Sequence, residues 1–125
     1  MVERFFTPKE ANLILPKVKT LVEDILSKAN QARSLMTILD VSKESEMKLI
    51  EINRQIQELM AQLEEIGCYY KDWSFDVGLV DFPAIIHGKE ALLCWRSDEE
   101  KINWFHGYDD GYAGRRPITA QLIFS

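Results

Sequence analysis

The chain has 125 residues, 46% of them hydrophobic, a formal net charge of −5 and a pI of about 5.0. That length supports one domain, 1–125, with a modest core, and the acidic balance argues against phosphate backbones, so no nucleic-acid partner is expected. No apolar run approaches the roughly 18 residues of a membrane span, and "MVERFFTPKEANLILP" carries charges inside its apolar stretch and no signal-peptide pattern, so no membrane association is expected.

Cys68 and Cys94 are the only cysteines. Two separated thiols without a secretion signal read as reduced, buried groups of a cytoplasmic protein, with a single disulfide as the other reading. The aromatic residues divide the chain. Residues 1–66 hold only Phe5 and Phe6, and residues 67–125 hold the other eleven of thirteen. The change falls at "EEIGCYY", where Gly67 suits a helix stop.

The first segment, 1–66, reads as a helical hairpin. In "TPKE", Thr7 can cap a helix, Pro8 suits its first position and Glu10 completes a capping box. Phe6 just before the cap is placed to act as a hydrophobic staple. Pro16 predicts a short opening helix and a kink or restart near Leu15. From there Val18, Leu21, Val22, Ile25, Ala29, Ala32, Met36 and Leu39 follow three-four spacing. "DVSKES" breaks the run and offers caps. Leu49, Ile52, Ile56, Leu59, Leu63 and Ile66 then step 3-4-3-4-3, a coiled-coil seam. Two runs across a short polar break predict antiparallel neighbours. Leu21, Val22, Leu35, Met36, Leu59 and Met60 widen the apolar stripe, so the sheet or a second copy must cover it. A homodimer through helix faces is therefore expected.

The second segment, 67–125, reads as a small antiparallel sheet with a Gly/Arg-rich turn. In "GLVDFPAIIHGKEALLCWR", Gly88-Lys89 fits a two-residue type II′ turn. That register sets Phe82 opposite Trp95 and Asp81 opposite Arg96. Val80, Phe82, Ala84, Ile86, Ala91, Leu93 and Trp95 then share one apolar face against the hairpin. After the polar turn "SDEEK", pairing Trp95 with Trp104 would add Ile102, Trp104 and His106 to that face. Leu79, Asp81, Ile85, Leu92, Cys94, Arg96, Asn103 and Phe105 fall on the other, mixed face. Pro83 there predicts an edge strand or a bulge. "TAQLIF" is expected to add a fourth strand or to cover an edge.

"FTPKEANLILP", "GLVDFP", "LLCWR" and "GYAGRRP", in this order, resemble a bacterial family of small proteins, domain-of-unknown-function family 2203. The resemblance runs from Phe6 to Pro117. It implies the same helices-then-sheet layout and no particular activity.

The chemistry is concentrated in "NWFHGYDDGYAGRRP". Asp81 and Arg96 can form a bidentate pair that pins the register, or Arg96 can reach a small anion. His106 can serve as a general base if Asp109 or Asp110 orients it; the plainer reading is a packed, hydrogen-bonded histidine. His87 falls in a turn and no second histidine sits at ligand spacing, so no metal is expected. Gly111 and Gly114 followed by Arg115 and Arg116 can cradle an anion, or the arginines can fold onto local carboxylates and lock the turn over Tyr108 and Tyr112. Cys94, mid-strand between leucine and tryptophan, reads as an inert buried thiol.

The expected fold is α+β: a long antiparallel, coiled-coil-like helical hairpin followed by a three- or four-stranded antiparallel sheet. The expected function is a non-enzymatic, self-associating interaction module without a cofactor. The alternative is a small-anion or metabolite-binding protein, or an enzyme, using Asp81, Arg96, His106, Asp109, Arg115 and Arg116.

Overall fold

A computed structural model describes residues 4–37, 42–72 and 74–119. Its first helix, α1, spans Pro8–Thr37. Thr7 Oγ1 accepts from the Glu10 amide at 3.1 Å, and Glu10 Oε1 accepts from the Thr7 amide at 2.9 Å. The box therefore forms as its residue types dictate. Phe6 is buried and meets Phe82 edge-on, with ring centroids 5.4 Å apart.

The break expected at Pro16 does not occur, and α1 runs through it. Pro16 lies on the exposed side, where the carbonyl left without a donor can reach water. Ala11 and Leu15 before it, and Val18 and Val22 after it, are buried on the opposite side. Burial on both sides of the proline outweighs its cost of about 3 kcal/mol.

Helix α2 spans Lys43–Ile66. Ser42 caps it by accepting from the Ser45 amide at 3.2 Å. Gly67 ends it at φ 111°, ψ 13°, with its amide donating to Leu63 O and Glu64 O. These are the start and stop that the residue types imply. Ile52, Ile56, Met60 and Leu63 face α1, so the two helices form a hairpin. Leu39 lies outside the described residues.

The sheet has five strands, where three or four were expected: β1 Tyr69–Tyr70, β2 Leu79–Ile86, β3 Lys89–Arg96, β4 Trp104–His106 and β5 Arg116–Pro117. All neighbours are antiparallel, in the order β1-β2-β3-β4-β5. The two added strands are two residues each, too short for a period-two pattern. Most of "TAQLIF" lies outside the described residues.

Two register expectations are overturned. The β2–β3 turn is His87-Gly88, with φ of 53° and 76°, rather than Gly88-Lys89. Both positive φ values match a type I′ turn, whose twist suits a hairpin. Partners move by two positions, so Asp81 faces Cys94, Phe82 faces Leu93 and Arg96 faces Leu79. An even shift keeps every side chain on its face. Val80, Phe82, Ala84, Ile86, Ala91, Leu93 and Trp95 therefore still form the inner surface.

The second correction concerns β4. Trp104 pairs with Cys94 and His106 with Leu92, so both turn outward, away from the hairpin, and Phe105 packs against the core. The connection before β4 is held from a distance. Asn12 on α1 accepts from Ile102 N at 2.8 Å and donates to Ile102 O at 3.3 Å, while Trp95 Nε1 donates to Glu99 O at 2.9 Å. The Asn12 bonds set how many residues the connection uses, and no local pattern encodes them.

Pro83 sits where β2 runs past the short β1. Its carbonyl accepts from Phe6 N at 2.7 Å. In an extended strand N and O of one residue point the same way, so the missing donor faces this edge rather than β3. Leu21, Val22 and Met60 are buried, but Met36 keeps 70% of its surface. The rest of the widened stripe is thus covered mainly near the sheet.

Candidate functional site

Alternation along four strands gathers side chains on the outer face of the sheet. Tyr69 of β1, Asp81 of β2, Cys94 of β3 and Trp104 of β4 form one cross-strand row. Pro83, Leu92 and His106 form the next. A cavity of about 480 Å³ opens over these rows. Its walls come from Tyr69, Leu79, Pro83, Leu92, Tyr108 and Tyr112, and Lys71 stands at its edge.

Asp81 and His106, 5% and 4% exposed, lie in its floor. His106 Nε2 is 3.3 Å from Asp81 Oδ1, and its Nδ1 is 2.8 Å from Gly107 O. A carbonyl only accepts, so Nδ1 carries a hydrogen and Nε2 is the nitrogen turned to the carboxylate. Burial raises the Asp81 carboxyl above its ordinary pKa, against the pull of His106. Burial, then the Asp81 charge, pushes the Cys94 thiol up to about 12. Unliganded at neutral pH, Cys94 is therefore a thiol.

The turn 107–114 holds His106 from behind. Asp110 Oδ2 accepts from Gly107 N at 3.2 Å, and Gly107 O accepts from Asp110 N at 3.2 Å. A Cβ on Gly114 would fall 2.6 Å from Asp110 Cβ, so glycine is required for this approach.

The six sequence candidates separate. Asp81 and His106 come together, although Asp81 does not meet Arg96. Arg96 pairs with Asp98 at 3.1 Å and donates to Tyr112 Oη at 2.9 Å. Arg115 is mostly buried, binds both Glu99 carboxylate oxygens at 2.7 and 2.9 Å, and donates to Cys94 O at 3.3 Å. Arg116 is 3.5 Å from Asp110. Asp109 is exposed and does not line the cavity. Arg115 and Arg116 thus lock the turn onto local carboxylates. Tyr108 and Tyr112 are partly exposed cavity walls, and the Arg115 guanidinium lies over the Tyr112 ring, 4.8 Å from its centroid.

Sequence reasoning missed Cys94, Tyr69 and Lys71 as site residues. Period-two alternation alone puts Cys94 and Asp81 on one face, and the type I′ register would have set them opposite each other. A second cavity of about 610 Å³, between the start of α1 and the segment before β4, has Lys9, Lys19, Lys101 and Asn12 in its lining and no buried ionisable group.

A family model described as an uncharacterized conserved protein (DUF2203) matches residues 4–118. No curated protein and no solved structure matches the chain.

Proposed function

For a chain that belongs to the DUF2203 family, we propose a small-molecule-binding role centred on the outer-face cavity. The observation that carries this reading is a joined pair of buried ionisable side chains, Asp81 and His106, in the floor of an open, tyrosine-walled cavity. Ligand sites are typically concave, about 300–1,000 Å³, mostly apolar, with a few convergent polar groups. The tyrosine, proline and leucine walls suit a planar or apolar body. Lys71 at the edge suits an anionic substituent, and the floor supplies hydrogen-bonding specificity. The arginines contribute by holding the walls, through Tyr112 and the Cys94 carbonyl. Both thiols are buried and free, which supports a cytoplasmic setting for this role.

A thermal-shift screen with aromatic carboxylates and phosphorylated metabolites tests the reading. A ligand at a hundred times its Kd adds about 2.7 kcal/mol of stability. The stabilisation should shrink in Asp81→Asn and Tyr108→Ala. Equal stabilisation in native protein and both variants would place the ligand elsewhere and defeat the proposal.

Self-association is a second reading, supported by Met36, Met47 and Ile50, which flank the connection between the helices and are 70%, 63% and 65% exposed. It uses the far end of the hairpin and leaves the cavity open. Among the described residues no helix is long and apolar enough to cross a membrane.

A further inference from the structure

Three side chains on the outer face carry metal-ligating atoms of three different kinds. Asp81 offers a carboxylate oxygen, Cys94 a sulfur and His106 an imidazole nitrogen, and these atoms all lie within 4.8 Å of one another. We propose that Asp81, Cys94 and His106 are the protein ligands of a divalent transition-metal site of the zinc class, with a further coordination position open to the cavity. The inference rests on the same cavity as the small-molecule reading and names the group a ligand would meet there.

The spacing suits the ion. A tetrahedral centre with bonds of about 2.0–2.3 Å sets its ligand atoms about 3.3–3.8 Å apart. Nε2 and Oδ1 already stand 3.3 Å apart. The sulfur, about 3.5 Å from nitrogen or oxygen on such an ion, needs to close by about 1.3 Å at most, within reach of a side-chain adjustment on a fixed strand. Calcium and magnesium prefer oxygen shells, whereas a mixed O, N, S set selects a borderline ion such as zinc.

The imidazole is set for this role. With Nδ1–H donated to Gly107 O, the other nitrogen points at a carboxylate oxygen. Two lone pairs facing each other repel unless a proton or a cation lies between them, and a metal ion satisfies both. Asp110 fixes the Gly107 backbone and so supplies the outer-shell support that ligating histidines commonly have. A carboxylate and a thiolate neutralise the ion's two positive charges, as a mostly buried position requires. Binding releases the thiol proton to solvent. Three protein ligands beside an open cavity match the catalytic pattern of zinc rather than the closed structural one.

The test is a cobalt(II) titration of the full chain after chelator treatment. One equivalent should bind, with cobalt–thiolate charge-transfer absorption in the near ultraviolet and the intense visible bands of a four-coordinate site, and zinc should displace it. Cys94→Ser should abolish the charge-transfer band, and Asp81→Asn or His106→Gln should weaken binding at least about tenfold. Cys68→Ser should leave the spectrum unchanged, because Cys68 is fully buried and its Sγ lies 3.5 Å from Leu63 O. Folded native chain that shows no charge-transfer band at millimolar cobalt overturns the proposal, as does a band that survives Cys94→Ser. The titration contains no organic ligand. A chain that binds aromatic carboxylates yet gives no cobalt band therefore loses the metal and keeps the pocket; the reverse result keeps the metal and loses the small-molecule reading.

Discussion

Glu99 organises much of the arginine turn from outside it. Its carboxylate accepts from Arg115 and from Arg96 N at 2.7 Å, while its carbonyl accepts from the Trp95 indole. Arg115 keeps only 10% of its side-chain surface. Glu99→Ala would leave that guanidinium without its charge partner. The expected loss is about 2–3 kcal/mol in chemical denaturation, somewhat below a fully buried pair because Glu99 retains some exposure. The double variant Glu99→Ala/Arg115→Met should recover part of it, since no uncompensated charge then remains. Asp72 locks the approach to β2 in a similar way. It accepts from the amides of Ser74, Asp76 and Val77 at 3.0–3.1 Å and from the Ser74 hydroxyl at 2.5 Å. Burial raises its carboxyl, but the Ser74 hydroxyl and the three amides outweigh that and hold it below its ordinary value. A depressed folded pKa means that the contribution is complete above the unfolded value and disappears as pH falls through the folded one. Asp72→Ala should therefore cost about 1 kcal/mol near neutrality. That difference should vanish in acid, measured as denaturation midpoints across pH.

At the scale of elements, the sheet is set on the hairpin by close approach. A Cβ on Gly78, just before β2, would fall 2.3 Å from Val22 Cγ1 of α1. Gly78→Ala must push strand and helix apart, and a loss of about 1–3 kcal/mol is expected in a denaturant midpoint. Gly88 meets nothing within 4 Å, so Gly88→Asn, which also tolerates positive φ, should change stability far less. Equal losses at the two glycines would refute this account of how α1 and β2 meet. The caps of both helices follow from residues adjacent in the chain, which is why Thr7, Ser42 and Gly67 were readable. The pairing of β3 with β4 was not readable, because Asn12 sets the connection from about ninety residues away.

At the scale of the whole molecule, one core joins helices and sheet, running from Ala11, Val18 and Ile25 through Ile56 and Leu63 to Phe82, Leu93 and Trp95. That core uses the inner face of the sheet and leaves the outer face free to form a cavity. It also leaves Met36, Met47 and Ile50 exposed. If self-association uses these side chains, Met47→Glu with Ile50→Glu should convert a dimer to a monomer in sedimentation velocity without changing the helical circular dichroism. A native chain that sediments as a monomer at micromolar concentration removes the dimer and leaves the cavity reading untouched.

The sequence by itself determined the α+β class, the two helices with three of their ends, and which β2 and β3 side chains face inward. These depend on periods of 3.6 and 2 and on caps, all local properties of the chain. Tertiary structure alone decided that α1 runs through Pro16 and that His106 turns outward to meet Asp81. Those outcomes depend on burial summed over distant residues and on how many residues each connection consumes. Both quantities are settled only when helices and sheet meet.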